Sequence, residues 1–482
     1  MDIVALLEEL VKGIMEAEEI FFENPKDFFS LETAVKSSAE AFSAGFLGTV
    51  LSSMNRQIYN NPWRKEHYNA QRTDKRTVIT SVGDVTFDCT YYLEKSGGYH
   101  YLMEEIIGLS KHERLSEAAE VKLLTEALKT SYSEAARSIP SKMGISKTTV
   151  MEKVHGIAEE IPYESPEEKR VCKYLYVEAD EDHVSEQHGR WEPQENNKGF
   201  ISKLVYLYET KQDSDKVKGR KELVNTFYFS GLYPESTGVE KLWGNVQRFI
   251  DLNYDTNEIE QVFISGDGAS WIKSGAKYLD KGLFCADKYH LMKYINAAAG
   301  QMKDEKDIAK EELWHILYSK KKAKERFDEY TQLMLSVTEK EKPIVDLRTF
   351  VLGNWAAVRR SLHNKKVGGC SAESHVSHVL SDRLSSRPMG WSQRGADRMS
   401  KLRCYERNCG REKIIELVRY SRAKRKGQLT GTDDLPIQRL TLRELNAEHY
   451  DQAKSYIERI QASIPGYEAR KTVSIRTHLR LL

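Results

Sequence analysis

Two apolar runs in this 482-residue chain end abruptly in carboxylates. Lys173-Tyr174-Leu175-Tyr176-Val177 leads into Glu178, Asp180, Glu181 and Asp182, and Gln261-Val262-Phe263-Ile264-Ser265 leads into Gly266-Asp267-Gly268-Ala269. A short apolar, β-branched run closed by glycine reads as a buried strand. A strand that stops on an aspartate delivers that carboxylate to the edge of its sheet. Two such strands predict a paired-carboxylate metal site. Along the first strand, residues 178, 180 and 182 would share one face. Asp180 lies nearer the apolar run and is favoured as the first ligand, with Asp182 kept open and Glu178 as a supporting group. Asp267 is the second ligand.

A third carboxylate should sit on a later helix facing the same edge. Glu373 fits, in Gly368-Gly369-Cys370-Ser371-Ala372-Glu373-Ser374-His375. It lies in the first turn of a predicted helix, after a glycine pair expected to allow a close approach. The alternative is an acid that only satisfies the helix dipole. Asp287 and His290 fall at i, i+3 on one helix face. They either orient substrate and assist proton transfer, with His290 as a catalytic candidate, or simply cap and pack. Trp271 either stacks on a base or sits in the core. His375 and His378 follow Glu373, but no thiolates gather there, so a zinc site is not expected.

These residues need a sheet to position them. Residues 173–180, 200–210 and 222–232 read as strands. A helix follows at 237–251, then the strand ending at Asp267, a helix at 269–279, a strand at 283–286 and a helix from 287. That order predicts a mixed α/β sheet. Three strands with an Asp on the first, then an Asp on the fourth, is a ribonuclease H-like layout. Residues 300–365 are charged and helical, and 372–426 look helical apart from Arg387-Pro388-Met389-Gly390. Upstream, residues 1–60 read as helical until Asn61-Pro62, and 76–92 alternate as a hairpin around Val82-Gly83-Asp84. Residues 113–157 return to helix. Within them Ser131–Arg137, a turn at Met143-Gly144-Ile145, and a helix capped by Ser146 suggest a helix-turn-helix. Ser146, Lys147, Thr148 and Thr149 would then meet DNA; the alternative is an ordinary helical hairpin. The expected organisation is a helical region at 1–70, a hairpin region at 71–112 and the helix-turn-helix at 113–165. The first part of the catalytic domain follows at 170–299, then a helical insertion at 300–365. The catalytic helix and a basic segment occupy 366–426, and a helical tail 427–482, with a helix at about 442–462.

Four segments together resemble the ISLre-type bacterial insertion-sequence transposases, a DDE family distantly similar to the Mutator-like transposases. They are Tyr176–Val184, Ser265–Ile272, Asp287–Tyr294 and Ser371–Val376. The resemblance implies Asp180, Asp267 and Glu373 as the acidic triad and an all-helical insertion before the glutamate. It implies two metal ions about 3.5–4 Å apart, one activating water or a DNA 3′-hydroxyl and one stabilising the leaving oxygen. The ion implied is Mg²⁺ (or Mn²⁺), a hard divalent cation that takes oxygen ligands. In Mutator-like relatives a Cys/Asp-x-x-His element lies near the active site, which Asp287 and His290 would match. The partners implied are double-stranded DNA, as terminal inverted repeats and target, and a second copy of the chain, since joining two ends needs at least a dimer. Two other readings stay open: a catalytically inactive, transposase-derived DNA-binding protein, and a ribonuclease H-like nuclease that only hydrolyses.

Composition narrows the classes. Net charge is +1, so global charge does not announce nucleic acid. From Arg383 to Lys426, however, fourteen Lys and Arg face four Asp and Glu. Arg383, Arg387 and Arg394 are read there as phosphate contacts, against the alternative of a solvated basic helix face. No apolar run approaches the roughly 18 residues of a membrane span. The N-terminus carries acids and no basic stretch, which argues against a signal peptide. The six cysteines are scattered without a Cys-x-x-Cys pair, as expected for reduced thiols in a cytoplasmic bacterial protein associated with the nucleoid when bound to DNA.

Overall fold

The computed structural model describes residues 3–110, 112–161, 166–187, 199–214, 219, 221–387 and 389–426. The tail at 427–482, with its expected helix, lies outside the described residues. The chain divides into two compact units: Met1–Ala127, Ser131–Lys153 and Val418–Leu482 form one, and Leu128–Thr130 and Val154–Leu417 the other.

The first unit opens with helices α1 (Ile3–Glu23), α2 (Phe28–Asn60) and α3 (Pro62–His67). Asn61 ends α2 and caps α3, its side chain accepting from the Trp63 amide at 2.9 Å, with Pro62 in the first turn. That is the break expected at Asn61-Pro62. Strands β1 (Tyr68–Thr80) and β2 (Gly83–Glu94) form a hairpin in which Thr80 faces Gly83. The turn is therefore Ser81-Val82, and Gly83 takes a φ of +123°, open to glycine alone without strain. The hairpin is longer than its alternating segment suggested, and a short β3 (Tyr99–His100) joins it. Helices α4 (Leu102–Ile106), α5 (Glu117–Ala127), α6 (Tyr132–Arg137) and α7 (Lys147–His155) follow. Ile58, Tyr68, Phe87, Tyr92, Leu102 and Met103 make the core. Asp84, in the hairpin turn, accepts from Ser141 Oγ and from the Met143 amide at 3.1 Å, which fixes the connection between α6 and α7.

The second unit is built on a five-stranded mixed sheet of β4 (Tyr174–Ser185), β5 (Gly199–Tyr208), β8 (Phe227–Gly231), β9 (Gln261–Gly266) and β10 (Gly282–Ala286). The order is β10-β9-β4-β5-β8. β4, β5 and β8 run antiparallel to one another in turn, whereas β9 is parallel to β4, and β10 to β9. A separate ribbon of β6 (Thr210–Asp213) and β7 (Lys221–Val224) branches off. The single strand expected at 222–232 is thus two. Asn225 takes a φ of +52° between them, a left-handed conformation that asparagine tolerates and that stops a strand. One face of the sheet, Leu175, Val177, Ala179, Val262 and Ile264, packs on α8 (Glu235–Asn253) and α9 (Ser270–Tyr278) in a single large core.

After α10 (Lys288–Ala299) comes a 3₁₀ turn, then α11 (Lys306–Tyr318), α12 (Ala323–Val337), α13 (Lys342–Gly353) and α14 (Trp355–His363). The 300–365 stretch is therefore helical, and Leu313, Phe327 and Leu347 join the same core as the sheet. Helix α15 (Ala372–Val376) runs through a π turn (Ser377–Ser381) into α16 (Asp382–Leu384), and α17 (Gln393–Cys409) and α18 (Ile414–Lys426) complete the described chain. Among the described residues no helix is long and apolar enough to cross a membrane. All six cysteines are free.

Candidate active site

Register explains how the acids meet. Along the parallel pair, Tyr174 faces Gln261 and Glu178 faces Ser265. Two residues further on, Asp180 of β4 comes level with Asp267, just past the end of β9. Ala286 of β10 faces Gly266, and the Asp287 amide donates to the Gly266 carbonyl at 2.9 Å, so Asp287 comes level with Asp267 as well. Asp180, within β4, is thus level with the aspartates that follow the ends of β9 and β10. Gly266 is required here, since a Cβ on it would stand 2.7 Å from the Ala179 carbonyl oxygen. Gly268, at φ +92°, turns the chain out of β9, and Asp267 Oδ1 steadies that turn by accepting from the Ala269 amide at 2.8 Å.

Asp180 is buried at 8 % exposure, and its only hydrogen-bond donor given by the structure is the Glu181 amide at 2.9 Å. Burial pushes its carboxyl up to about 6, with the charges of Asp267 and Glu373 adding to the rise and His290 opposing it. The structure therefore brings Asp180, Asp267, Glu373 and His290 into one electrostatic neighbourhood. Glu373 is exposed, in the first turn of α15. His290 donates or accepts at Nδ1 with Asp287 Oδ2 at 2.8 Å, and that bond, ahead of the charges of Asp287, Asp180 and Asp267, raises its pKa. Asp287 also caps α10 by accepting from the Tyr289 amide at 2.9 Å. The Asp-x-x-His pair is a cap, as one alternative expected, and His290 also feels the charges of Asp180 and Asp267.

Asp182 and Glu178, on the same face of β4, are already engaged. Asp182 Oδ1 accepts from Ser381 Oγ at 3.1 Å and from Ser385 Oγ at 2.8 Å. Glu178 accepts from Tyr208 Oη at 2.6 Å, the Ser371 amide at 2.7 Å, Ser371 Oγ at 3.1 Å and Lys211 Nζ at 3.3 Å, and also from Tyr206 Oη. Burial works against its charge, but Lys211 and these donors hold it below the usual carboxylate range. The choice between Asp180 and Asp182 stays open: Asp180 accepts from no side chain, whereas Asp182 is tied to two serines through Oδ1 while its buried Oδ2 has no partner.

Among the described residues no group of three or more His, Cys, Asp or Glu side chains is arranged to hold a metal ion as they lie. The donor chemistry nonetheless suits a divalent cation. Asp180, Asp267 and Glu373 offer only oxygen ligands, and Asp180, raised first by burial and then by the charges of Asp267 and Glu373, is a carboxylate whose charge a cation would stabilise. Glu373 is exposed and would have to turn inward to complete such a set.

Several other expectations change. Trp271 is a core residue, 9 % exposed, its Nε1 donating to Glu181 Oε2 at 2.7 Å, which removes it as a base-stacking ring. The glycine pair 368–369 serves no close approach, since a Cβ on either would meet nothing within 4 Å. Arg383, expected at phosphate, is buried with its guanidinium 4.7 Å over the Trp391 ring. Arg387 and Arg394 are exposed, as a phosphate contact requires, with Arg394 also donating to the His155 carbonyl at 3.1 Å. Ser146 caps α7, accepting from the Thr149 amide at 3.0 Å, and Ser146, Lys147 and Thr148 are exposed while Thr149 is half-buried. The residues that sequence reasoning missed are Tyr206, Tyr208, Lys211, Ser371, Ser381 and Ser385. No local motif marks them, and the one available hint was the acid at every second position of β4.

Fold and site together define a mixed α/β protein with an acidic centre at the end of its central strands. The model of the uncharacterised protein family UPF0236 matches residues 23–420, and the chain belongs to that family. It is 33 % identical over 420 residues to a UPF0236 protein of Caldanaerobacter subterraneus subsp. tengcongensis, covering 85 % of each chain. A second UPF0236 protein of that organism is 32 % identical over 409 residues, covering 84 % of this chain and 83 % of its own. A UPF0236 protein in the vanSb 3′ region of Streptococcus gallolyticus is 23 % identical over 397 residues, covering 80 % and 84 %.

Proposed function

We propose that the protein is a DDE transposase of a bacterial insertion sequence, cutting and joining DNA at the ends of its element with divalent metal ions. The observation that carries this reading is Asp180: a buried carboxylate without a side-chain donor, level with Asp267 and within the field of Glu373. An ion pair or a plain structural hydrogen bond would leave such a group satisfied. A cation site needs it open.

The sheet supports the ribonuclease H-like layout. Its first three strands run antiparallel, and the fourth lies parallel beside the first, so that two acid-bearing strands are neighbours. The relatives add a second line of support. The name of one from Caldanaerobacter joins eleven locus designations, and that of another joins four. One gene repeated at many loci of a genome is what a self-copying element leaves behind.

In this mechanism Asp180, Asp267 and Glu373 would hold Mg²⁺ or Mn²⁺, which supplies activation of the attacking oxygen and charge neutralisation at phosphorus. His290, held by Asp287, stands ready to carry a proton beside Asp180. The exposed start of α7, Ser146 to Thr149, would read the element's terminal repeats as a helix-turn-helix does, and Arg387 and Arg394 would contact phosphate. Bringing two ends together implies at least a dimer.

The test is incubation of purified protein with DNA carrying the element's ends, in Mg²⁺ or EDTA, beside Asp267→Asn. Mg²⁺-dependent nicking at the ends, absent in the variant, is the expected result. End binding that persists in EDTA with no cleavage under any divalent metal would instead establish a DNA-binding protein without catalysis.

A further inference from the structure

We propose that Glu178 and Asp182 are a pair of positioning residues that clamp the Ser371–Ser385 segment at both ends and so fix the helix bearing Glu373 against the strand bearing Asp180. The role assigned to Glu373 rests on the transposase reading; the clamp itself rests on hydrogen bonds. Residues 178, 180 and 182 share one face of β4, as the period of a strand requires. The outer two each accept from serines of one later segment, and the middle one accepts from none of them. Glu178 takes the Ser371 amide and hydroxyl, immediately before α15, at 2.7 and 3.1 Å. Asp182 takes the Ser381 and Ser385 hydroxyls, at the far end of the π turn, at 3.1 and 2.8 Å. Glu373 lies between the two anchor points, two residues beyond the first.

The first anchor is braced from the neighbouring strand. Tyr206 of β5 reaches Glu178, lies 3.1 Å from Ser371 Oγ, and stacks its ring on His375 at 4.2 Å. His375 in turn pairs with Tyr228 Oη at 2.9 Å, so two neighbouring tyrosines of the sheet hold the turn that carries Glu373. Lys211 joins Glu178 to the Gly369 carbonyl, fixing the approach to the helix. The π turn lies between the anchors. Its wider loop of backbone accommodates two fixed ends that a regular helix of that length would have to match in pitch. A carboxylate ligand must be held within a fraction of an ångström to bind a cation well, and groups behind the ligands commonly do the holding.

The full chain, carrying Glu178→Gln or Asp182→Ala, tests this with two independent readouts. The first is amide hydrogen exchange across residues 371–385 without metal. Both variants should exchange there about tenfold faster than wild type while α8 and α9 keep their protection. The second is Mn²⁺ binding followed by electron paramagnetic resonance, expected to weaken about tenfold or more. Asp182→Asn keeps one acceptor oxygen and should restore most of both. Folded variants whose exchange and Mn²⁺ affinity both stay within about twofold of wild type would overturn the clamp. If Glu178→Gln does not fold, Ser371→Ala with Ser385→Ala removes a hydroxyl at each anchor, and unchanged exchange in that double variant overturns the proposal equally. The exchange readout needs neither metal nor DNA. A wild type that binds no Mn²⁺ and cuts nothing therefore defeats the transposase reading, while the exchange result still decides the clamp.

Discussion

At the scale of single residues, the role proposed for Asp180 would set function against stability. Its carboxyl is pushed up to about 6 by burial first and by Asp267 and Glu373 after it. A carboxyl whose pKa rises on folding contributes stability below its unfolded value and loses it as pH climbs through the folded value. For Asp180 the window runs from 3.8 to about 6. Above that window its ionised form destabilises the metal-free fold by about 3 kcal/mol. Asp180→Asn should therefore make the metal-free protein more stable at pH 7.5, with the gap closing toward pH 4, and should abolish Mg²⁺-dependent nicking. Urea unfolding of both proteins in EDTA at the two pH values measures this. A variant no more stable than wild type at pH 7.5 would mean that the site relaxes or admits enough water to tolerate the charge. The three acids were legible because each ends an apolar run or opens a helix. Their partners were not, because Ser371, Ser381, Ser385 and Tyr206 reach Glu178 and Asp182 only after the chain has folded back on β4.

At the scale of elements, the sequence pattern identifies most strands and helices of the second unit, since the apolar runs at 173–180, 200–210 and 261–266 are the buried strands themselves. It fails where one residue's backbone decides, as at Asn225, and where helices are stitched by a π turn, which leaves the apolar spacing nearly unchanged. Its larger error concerns charge. The basic stretch from Arg383 to Lys426 reads as a track for phosphate, yet much of it is spent inside the protein. Arg403 donates to the Leu128 and His378 carbonyls at 2.7 Å, and Arg398 and Lys401 meet Asp397 at 2.7 and 2.9 Å. On α18, Arg422 is buried against Glu120 at 2.6 Å, and Arg419 meets Glu117 at 2.9 Å. A linear count of charge cannot tell a solvated lysine from an arginine that neutralises a buried glutamate. Arg422→Ala should destabilise the protein by about 3 kcal/mol, the lower end of the cost of breaking a buried pair, because another cation stays close. That cation is Lys153, 3.2 Å from Glu120. Arg387→Ala and Arg394→Ala, at exposed positions, should leave the melting temperature within about 1–2 °C of wild type and weaken DNA binding instead. An Arg422→Ala protein as stable as wild type would show that Lys153 alone neutralises Glu120.

At the scale of the molecule, the chain keeps its candidate DNA-reading residues and its acids in different units. Ser146, Lys147 and Thr148 stand exposed at the start of α7 in the first unit, and Asp180, Asp267 and Glu373 lie at the sheet edge of the second. If α7 reads element ends, affinity and chemistry must separate by mutation. Lys147→Ala with Thr148→Ala should lower affinity for end DNA about 10- to 100-fold, the range expected for losing one or two groove contacts, and should reduce the salt slope by about one. Its Mn²⁺ affinity should not change, because the acids belong to the other unit. Asp267→Asn should do the reverse, keeping end binding while losing cleavage. Fluorescence anisotropy at several salt concentrations, run on both variants with end DNA and with a scrambled duplex, makes the comparison. A double variant that loses affinity equally for both duplexes would assign α7 to phosphate alone and move sequence recognition elsewhere. A double variant that binds end DNA as wild type does would return α6 and α7 to an ordinary helical hairpin, held by Asp84 to the turn of the β-hairpin for stability and nothing more.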